Sequence, residues 1–501
     1  MHLKRKTVCF AGTGALVAAL GGLASLSAEG AVAAAGAAPA VASPAVAAPA
    51  VASPVVAAFA GQRAAVTVHP DIAHLGRVEK QPPTTADCEK AFTVACYEPG
   101  QLEQAYNLWP LYQQGVSGQG TTIVIVDSFG SPTIRQDLSF FDETFKLPGP
   151  ASFKIIQPAG AVHFDATNPN DLGWASETSL DVEYAHSIAP NASILLVETP
   201  VSETEGENGF PQIVQAEKYV IDHYDADVIS QSFGATEETF PSKDSVEALR
   251  DAYRDAAWHD VTVLAASGDS GAADVGPDGQ TYYLSPVTSW PASDPLVTGV
   301  GGTQLHLNAS GNHTSPDTLW NDTYSVPTNK FIFGDNGPNP LASGGGESTL
   351  FHRPYYQEDV RDEVGQRRGV PDVSMSAACD GAVDVYMTVP GLLAGWYPTC
   401  GTSEATPLFA GIVALAAQWG HHSLGLINPA LYRMREYNEP GIVNVNSGNN
   451  NVSFYQGGKL RAVGGFSAGD GYSTGAGVGT VNGALFVPEL ARFAGSQVPR
   501  G

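Results

Sequence analysis

Thr121-Thr122-Ile123-Val124-Ile125-Val126-Asp127 is an unbroken β-branched and aliphatic run that closes on an acid. A strand with one wet face alternates polar and apolar residues. A run without alternation must be covered on both faces, as strands of parallel sheets are. Three more segments read the same way: Ala192-Ser193-Ile194-Leu195-Leu196-Val197, Val228-Ile229-Ser230-Gln231-Ser232-Phe233 and Val261-Thr262-Val263-Leu264-Ala265-Ala266. Helical stretches at 176–188, 212–223 and 245–259 separate them. Strand and helix alternate, so the spacing predicts one α/β domain with a doubly wound, mostly parallel β-sheet flanked by helices.

The ends of the chain carry other signals. Met1-His2-Leu3-Lys4-Arg5-Lys6, a Gly- and Ala-rich apolar run and small residues near Ala28 to Ala33 predict a secretory signal peptide over 1–33. A retained anchor fits less well, because the run is weakly hydrophobic and has no basic stop-transfer flank. Residues 34–95 read as an Ala/Pro/Val-rich linker followed by a polar lead-in, and 441–483 as long loops with short strands. No internal repeat is visible. The balance of 25 Lys plus Arg against 51 Asp plus Glu disfavours nucleic acid and anionic membrane surfaces as partners.

Export permits disulfides. With Cys9 removed in the signal, Cys88, Cys96, Cys379 and Cys400 remain. Proximity suggests Cys88–Cys96 and Cys379–Cys400, although four cysteines allow three pairings. A zinc site is the competing reading, with no CxxC pair or histidine cluster in its favour.

Several residues could carry chemistry. Cys400-Gly401-Thr402-Ser403 precedes an apolar helical pattern at Leu408, Ile412, Val413 and Ala416. Ser403 thus stands at a glycine turn entering a helix N-terminus, where free N–H groups favour developing negative charge. An N-cap serine is the plainer alternative. Pro407 fits a first helical turn, which needs no N–H from it. Glu177 and Asp181 lie four apart on one helix face, in a stripe that continues through Tyr184 and Ile188. Such a pair is either solvated or, if buried, shares a proton and can accept another from a serine hydroxyl. Asp269, in Ser267-Gly268-Asp269-Ser270-Gly271 at the carboxyl end of a buried strand, either makes an Asx turn or donates to an oxyanion when protonated. His186 reads as a histidine at a helix C-terminus rather than a catalytic base.

Taken in order, Glu177-x-x-x-Asp181, Ser267 to Gly271 and Gly401-Thr402-Ser403-x-x-x-Pro407 resemble the sedolisin (serine-carboxyl peptidase) family. Trp290-Pro291-Ala292-Ser293-Asp294-Pro295, Val300-Gly301-Gly302-Thr303 and Gly369-Val370-Pro371-Asp372-Val373-Ser374 are further similar stretches. The resemblance covers roughly residues 97–490 and places the peptidase domain at 96–495. It implies a subtilisin-like fold and an endopeptidase or tripeptidyl-peptidase active in acid on proteins or peptides. Matched residue by residue, it implies Ser403 as nucleophile, Glu177 as general base, Asp181 as its orienting partner and Asp269 as oxyanion stabiliser. Ser232-Phe233-Gly234 resembles the segment that pairs with substrate backbone. The expectation is a secreted, extracellular monomer without a cofactor and, once the signal is removed, without a membrane partner.

Two departures stand out. The family carries a large prodomain, whereas the expected signal and linker precede this catalytic region. The family's calcium site matches Asn444, Val445, Gly469, Gly471 and Ser473, with Asn444 and Ser473 where aspartates would stand and Asp470 beside them. Calcium wants several oxygens with carboxylate charge, so weak or no binding is expected. Two alternatives remain: a catalytically inactive secreted binding or cell-surface relative, and a histidine-based subtilisin-type protease, for which no histidine stands in a glycine-bounded turn at Glu177.

Overall fold

In a computed structural model that describes residues 72–494, the polar lead-in is already part of the packed body. Strand β1 (Ala73–His74) lies antiparallel to the strand that ends at Cys400, pairing Ala73 with Cys400 and His74 with Thr399. Helix α1 (Thr85–Phe92) follows, capped by Thr84, whose side chain accepts the Asp87 N–H. Leu75, Cys88 and Phe92 join the main core. Packing thus extends N-terminally of β2 (Cys96–Tyr97), where the peptidase domain was expected to start. The expected signal, Cys9 and the linker up to residue 71 lie outside the described residues.

The buried runs form the centre. In chain order come β3 (Thr122–Ser128), α2 (Ile134–Phe145), β4 (Ser152–Ile156), α3 (Pro169–Ile188), β5 (Ser193–Thr199), α4 (Phe210–His223) and β6 (Val228–Gln231). They continue with β7 (Ala235–Thr236), α5 (Lys243–Leu249), α6 (Asp251–Trp258), β8 (Thr262–Ala266), β9 (Ser289–Trp290), β10 (Thr298–Gln304) and β11 (Thr318–Leu319). The eight-stranded sheet has the order β11-β10-β8-β6-β3-β5-β4, with β12 (Val373–Ser376) also beside β10. All its strands are parallel except β11. Along β3, Ile123 and Ile125 enter one core while Val124 and Val126 enter the other, so both faces are dry, as the absence of alternation required.

Differences from the expected elements have local causes. Helix α3 starts earlier than 176, because Asn168 caps it by accepting the Asn170 N–H and Pro169 takes the first helical position. The helix expected over 245–259 is two helices, parted at Arg250 (φ −80°, ψ 2°), whose guanidinium donates to both Asp294 oxygens at 2.6 and 2.9 Å. Strand β6 stops at Gln231, and the chain turns into β7, which pairs antiparallel with β9.

Beyond β12, β13 (Ala382–Met387) and β14 (Gly395–Cys400) pair antiparallel at the centre of a second, four-stranded sheet with β1 and β2 at its edges. From β14 the chain enters α7 (Thr402–Gly420), which is buried from Thr402 to Ala417, then α8 (Asn428–Glu436) and α9 (Gly483–Ala494). Helix α7 lies against α3: a Cβ on Gly411 would come within 2.5 Å of the Ile188 Cβ. Both expected disulfides are formed, Cys88–Cys96 and Cys379–Cys400.

Asp372 shows why a motif can be structural. Its carboxylate accepts the Gly299 N–H at 2.8 Å and the Tyr432 hydroxyl at 2.9 Å, and it pairs with Arg368, the two side chains being fully buried. It ties β10, α8 and the Gly369–Ser374 stretch together. Removing one partner would leave the other charge buried and alone. Arg368→Met is therefore expected to cost about 3–5 kcal/mol, read as a lower urea midpoint; a loss below about 1 kcal/mol would contradict this role.

Candidate active site

The turn after β14 is set by Gly401, whose φ of 133° disfavours a side chain. Its N–H donates to the Ala377 carbonyl at 2.9 Å, and Cys379–Cys400 braces the same corner. Helix α7 then begins at Thr402, with Ser403 in its first turn. Ser403 is fully buried, and its Oγ has no hydrogen-bond partner among the described residues. Because the helix begins this early, Pro407 lies inside it rather than in its first turn. Its missing N–H would have gone to the Ser403 carbonyl, four residues back.

Asp269 is carried to this turn from the end of β8. Its Oδ1 accepts both the Thr402 N–H at 2.7 Å and the Thr402 hydroxyl at 2.9 Å, and the Gly268 N–H donates to Thr402 Oγ1 at 3.2 Å. The carboxyl group of Asp269 thus sits one residue from Ser403, at the positive end of a buried helix.

Glu177 and Asp181 are fully buried on α3, which packs along α7. The solvated reading of this pair is excluded by that burial. Asp181 Oδ1 accepts the Ser232 hydroxyl at 2.8 Å. Burial pushes the Asp181 carboxyl well above the usual range, with the nearby charge of Asp127 acting in the same direction. Asp127, next to the end of β3, is itself pushed up to about 7 by burial, with the Glu198 charge acting in the same direction. Two buried carboxyl groups placed against each other in this way resist ionising together and titrate as a pair. The reading from sequence missed Asp127 as a member of this cluster. Its signal was an acid ending a run buried on both faces, where strand termini of α/β sheets point into the site crevice.

The 232–234 segment divides its roles. Ser232 spends its hydroxyl on Asp181, and Phe233 packs into the aromatic core beside Trp174 and Phe210. Gly234 is partly exposed, and a Cβ there would lie 3.1 Å from the Trp290 carbonyl oxygen. His186 is remote from this set: its Nε2 lies 3.1 Å from Asp142 and 2.9 Å from the Pro148 carbonyl oxygen.

Of the five calcium-matched residues, Asn444 and Ser473 have side-chain oxygens, and both are engaged. Asn444 Oδ1 accepts the Gly471 N–H at 3.0 Å and its Nδ2 donates to Asp470 at 3.2 Å, while Ser473 Oγ accepts the Ala476 N–H at 3.1 Å. Val445 is buried in a small apolar cluster with Leu319 and Ala476. Gly469 has open space around it.

Residues 159–435, which contain α3, the β8 turn and Ser403, match the subtilase family model. The chain belongs to the subtilase family. It is 30% identical over 417 residues to kumamolisin of Bacillus sp. (strain MN-32), covering 80% of this chain and 65% of kumamolisin. It is 28% identical over 367 residues to sedolisin of Pseudomonas sp. (strain 101), covering 72% of this chain and 56% of sedolisin. The subtilase thus spans about two thirds or less of these relatives. Against the solved structure of Pseudomonas sedolisin, a serine-carboxyl proteinase complexed with two molecules of pseudo-iodotyrostatin, the TM-score is 0.65 at 25% identity. That likeness covers 81% of this chain and 99% of that one, and bears out the subtilisin-like α/β fold.

Proposed function

We propose that this subtilase is a secreted serine-carboxyl peptidase that hydrolyses peptide bonds in acid. Ser403 Oγ attacks the scissile carbonyl and Glu177 takes its proton, later returning it to the leaving amine. Asp181 orients Glu177, with Asp127 and Ser232 behind it. Protonated Asp269 donates to the oxyanion. Gly234 offers its backbone to an extended substrate. The observation that carries this reading is the double acceptance by Asp269 of Thr402, which sets a carboxyl beside a serine at a helix N-terminus. The carboxylate cluster around Asp181 supports it, since the groups acting on Asp181 are Asp127 and Ser232, with no histidine among them. A carboxyl base works, and an acid donor keeps its proton, only at low pH. The two disulfides support export, and among the described residues no helix is long and apolar enough to cross a membrane.

The test is cleavage of a mixed peptide library in acid, wild type beside Ser403→Ala. The expected outcome is cleavage that falls by about 10⁴-fold or more in the variant. Equal cleavage by both would reject Ser403. A folded wild type that cleaves nothing would leave a binding role.

A further inference from the structure

We infer that the Arg435 guanidinium supplies from within the chain the positive charge that a calcium ion would bring to the 469–473 loop, so that this fold is calcium-independent. The two positions at which carboxylates would hold a metal are Asn444 and Ser473, and both side-chain oxygens are spent on backbone N–H groups of the loop itself. Asp470, the remaining carboxylate, accepts the Asn444 amide instead of facing a free interior. Calcium needs six to eight oxygens, of which carboxylates give most of the charge. That set is absent.

A cation is nonetheless present. Arg435 projects from the last turn of α8, and its terminal nitrogen stands 2.5 Å from where a Cβ of Gly471 would be, with the guanidinium carbon at 3.5 Å. Gly471 has φ 98°, so this residue is glycine both for its backbone and for the close approach of the guanidinium. Arg435 also donates to Asn438 Oδ1 at 3.2 Å. Two open cavities of about 320 and 250 Å³ flank the spot, and Arg435, Asp470 and Gly471 line both. The other acidic residues lining these cavities are Asp359, Glu363, Glu436 and Glu439. A fixed guanidinium in such a place pins the loop as a bound ion would, without a dissociation equilibrium.

Thermal unfolding of the whole protein tests this. Wild type is expected to melt within about 1 °C in about 5 mM calcium chloride and in about 5 mM EDTA. Arg435→Met, which keeps the stem and removes the charge, is expected to melt about 2–4 °C lower, and Arg435→Lys to recover part of that loss. A wild-type rise of more than about 4 °C with calcium would overturn the inference, as would an Arg435→Met variant that melts with wild type. If Arg435→Met fails to fold, the wild-type comparison and Arg435→Lys still decide.

Discussion

Glu177→Gln is expected to lower kcat/KM by about 10³-fold in acid while leaving the fold intact. Glutamine has the shape of glutamic acid and fits the same fully buried place on α3, but it cannot accept the Ser403 proton. The loss should fall on kcat, because the proton moves in the transition state and not on binding. Asp181→Asn should lose less, since its proposed role is to orient. Asp269→Ala removes the proposed oxyanion donor and is expected to cost about 10²–10³-fold. Asp269→Asn keeps a donor whose proton does not titrate, so its deficit should shrink as pH rises. A Glu177→Gln enzyme within about tenfold of wild type would refute a carboxylate base at this position.

The second large effect is on stability. Burial raises Glu217 to about 8, against hydrogen bonding from Gln231 that lowers it. Burial likewise raises Glu103 to about 7 and takes Asp322 to about 6. Each group binds its proton more tightly folded than unfolded. Their contribution is therefore fully present below the unfolded value near pH 4 and is lost as pH rises through the folded values, between about 4 and 8. For a fully buried group such as Glu217, the loss is on the order of 5 kcal/mol. The urea midpoint should fall steadily from about pH 4.5 to about pH 8, and Glu217→Gln should flatten that slope. A midpoint that holds level or rises over this range would contradict the expectation. The stability of such a protein is matched to acid, the same range in which its proposed chemistry runs.

What could be read from the chain follows what is local. An unbroken run such as Thr121 to Val126 announces a two-sided strand because burial is written into every residue. Strand β10 is equally buried but hidden: Gly299, Gly301 and Gly302 carry no apolar signal. Those glycines are there because Pro371 and Trp320 approach within 2.6 and 2.7 Å of where Cβ atoms at Gly301 and Gly302 would lie. The catalytic candidates were legible as short motifs around Glu177, Asp269 and Ser403. Asp127 was not, since its partner Asp181 comes from another element across the sheet end. Arg435 was invisible for the same reason, as its meeting with Gly471 is made only by the fold. The lead-in at 72–95 looked polar because its apolar residues are sparse, yet Leu75 and Phe92 suffice to dock it.

The central claim is that carboxylates, not histidine, activate Ser403. The most direct test is the pH dependence of kcat/KM from about pH 3 to about pH 9 on one cleaved peptide. A carboxylate base with an acid oxyanion donor predicts a maximum in the acid range and a fall of at least about tenfold by neutrality, at pH values where the protein is still folded. A rate that climbs through about pH 6.5 to an alkaline plateau would be the profile of a histidine base and would contradict the account.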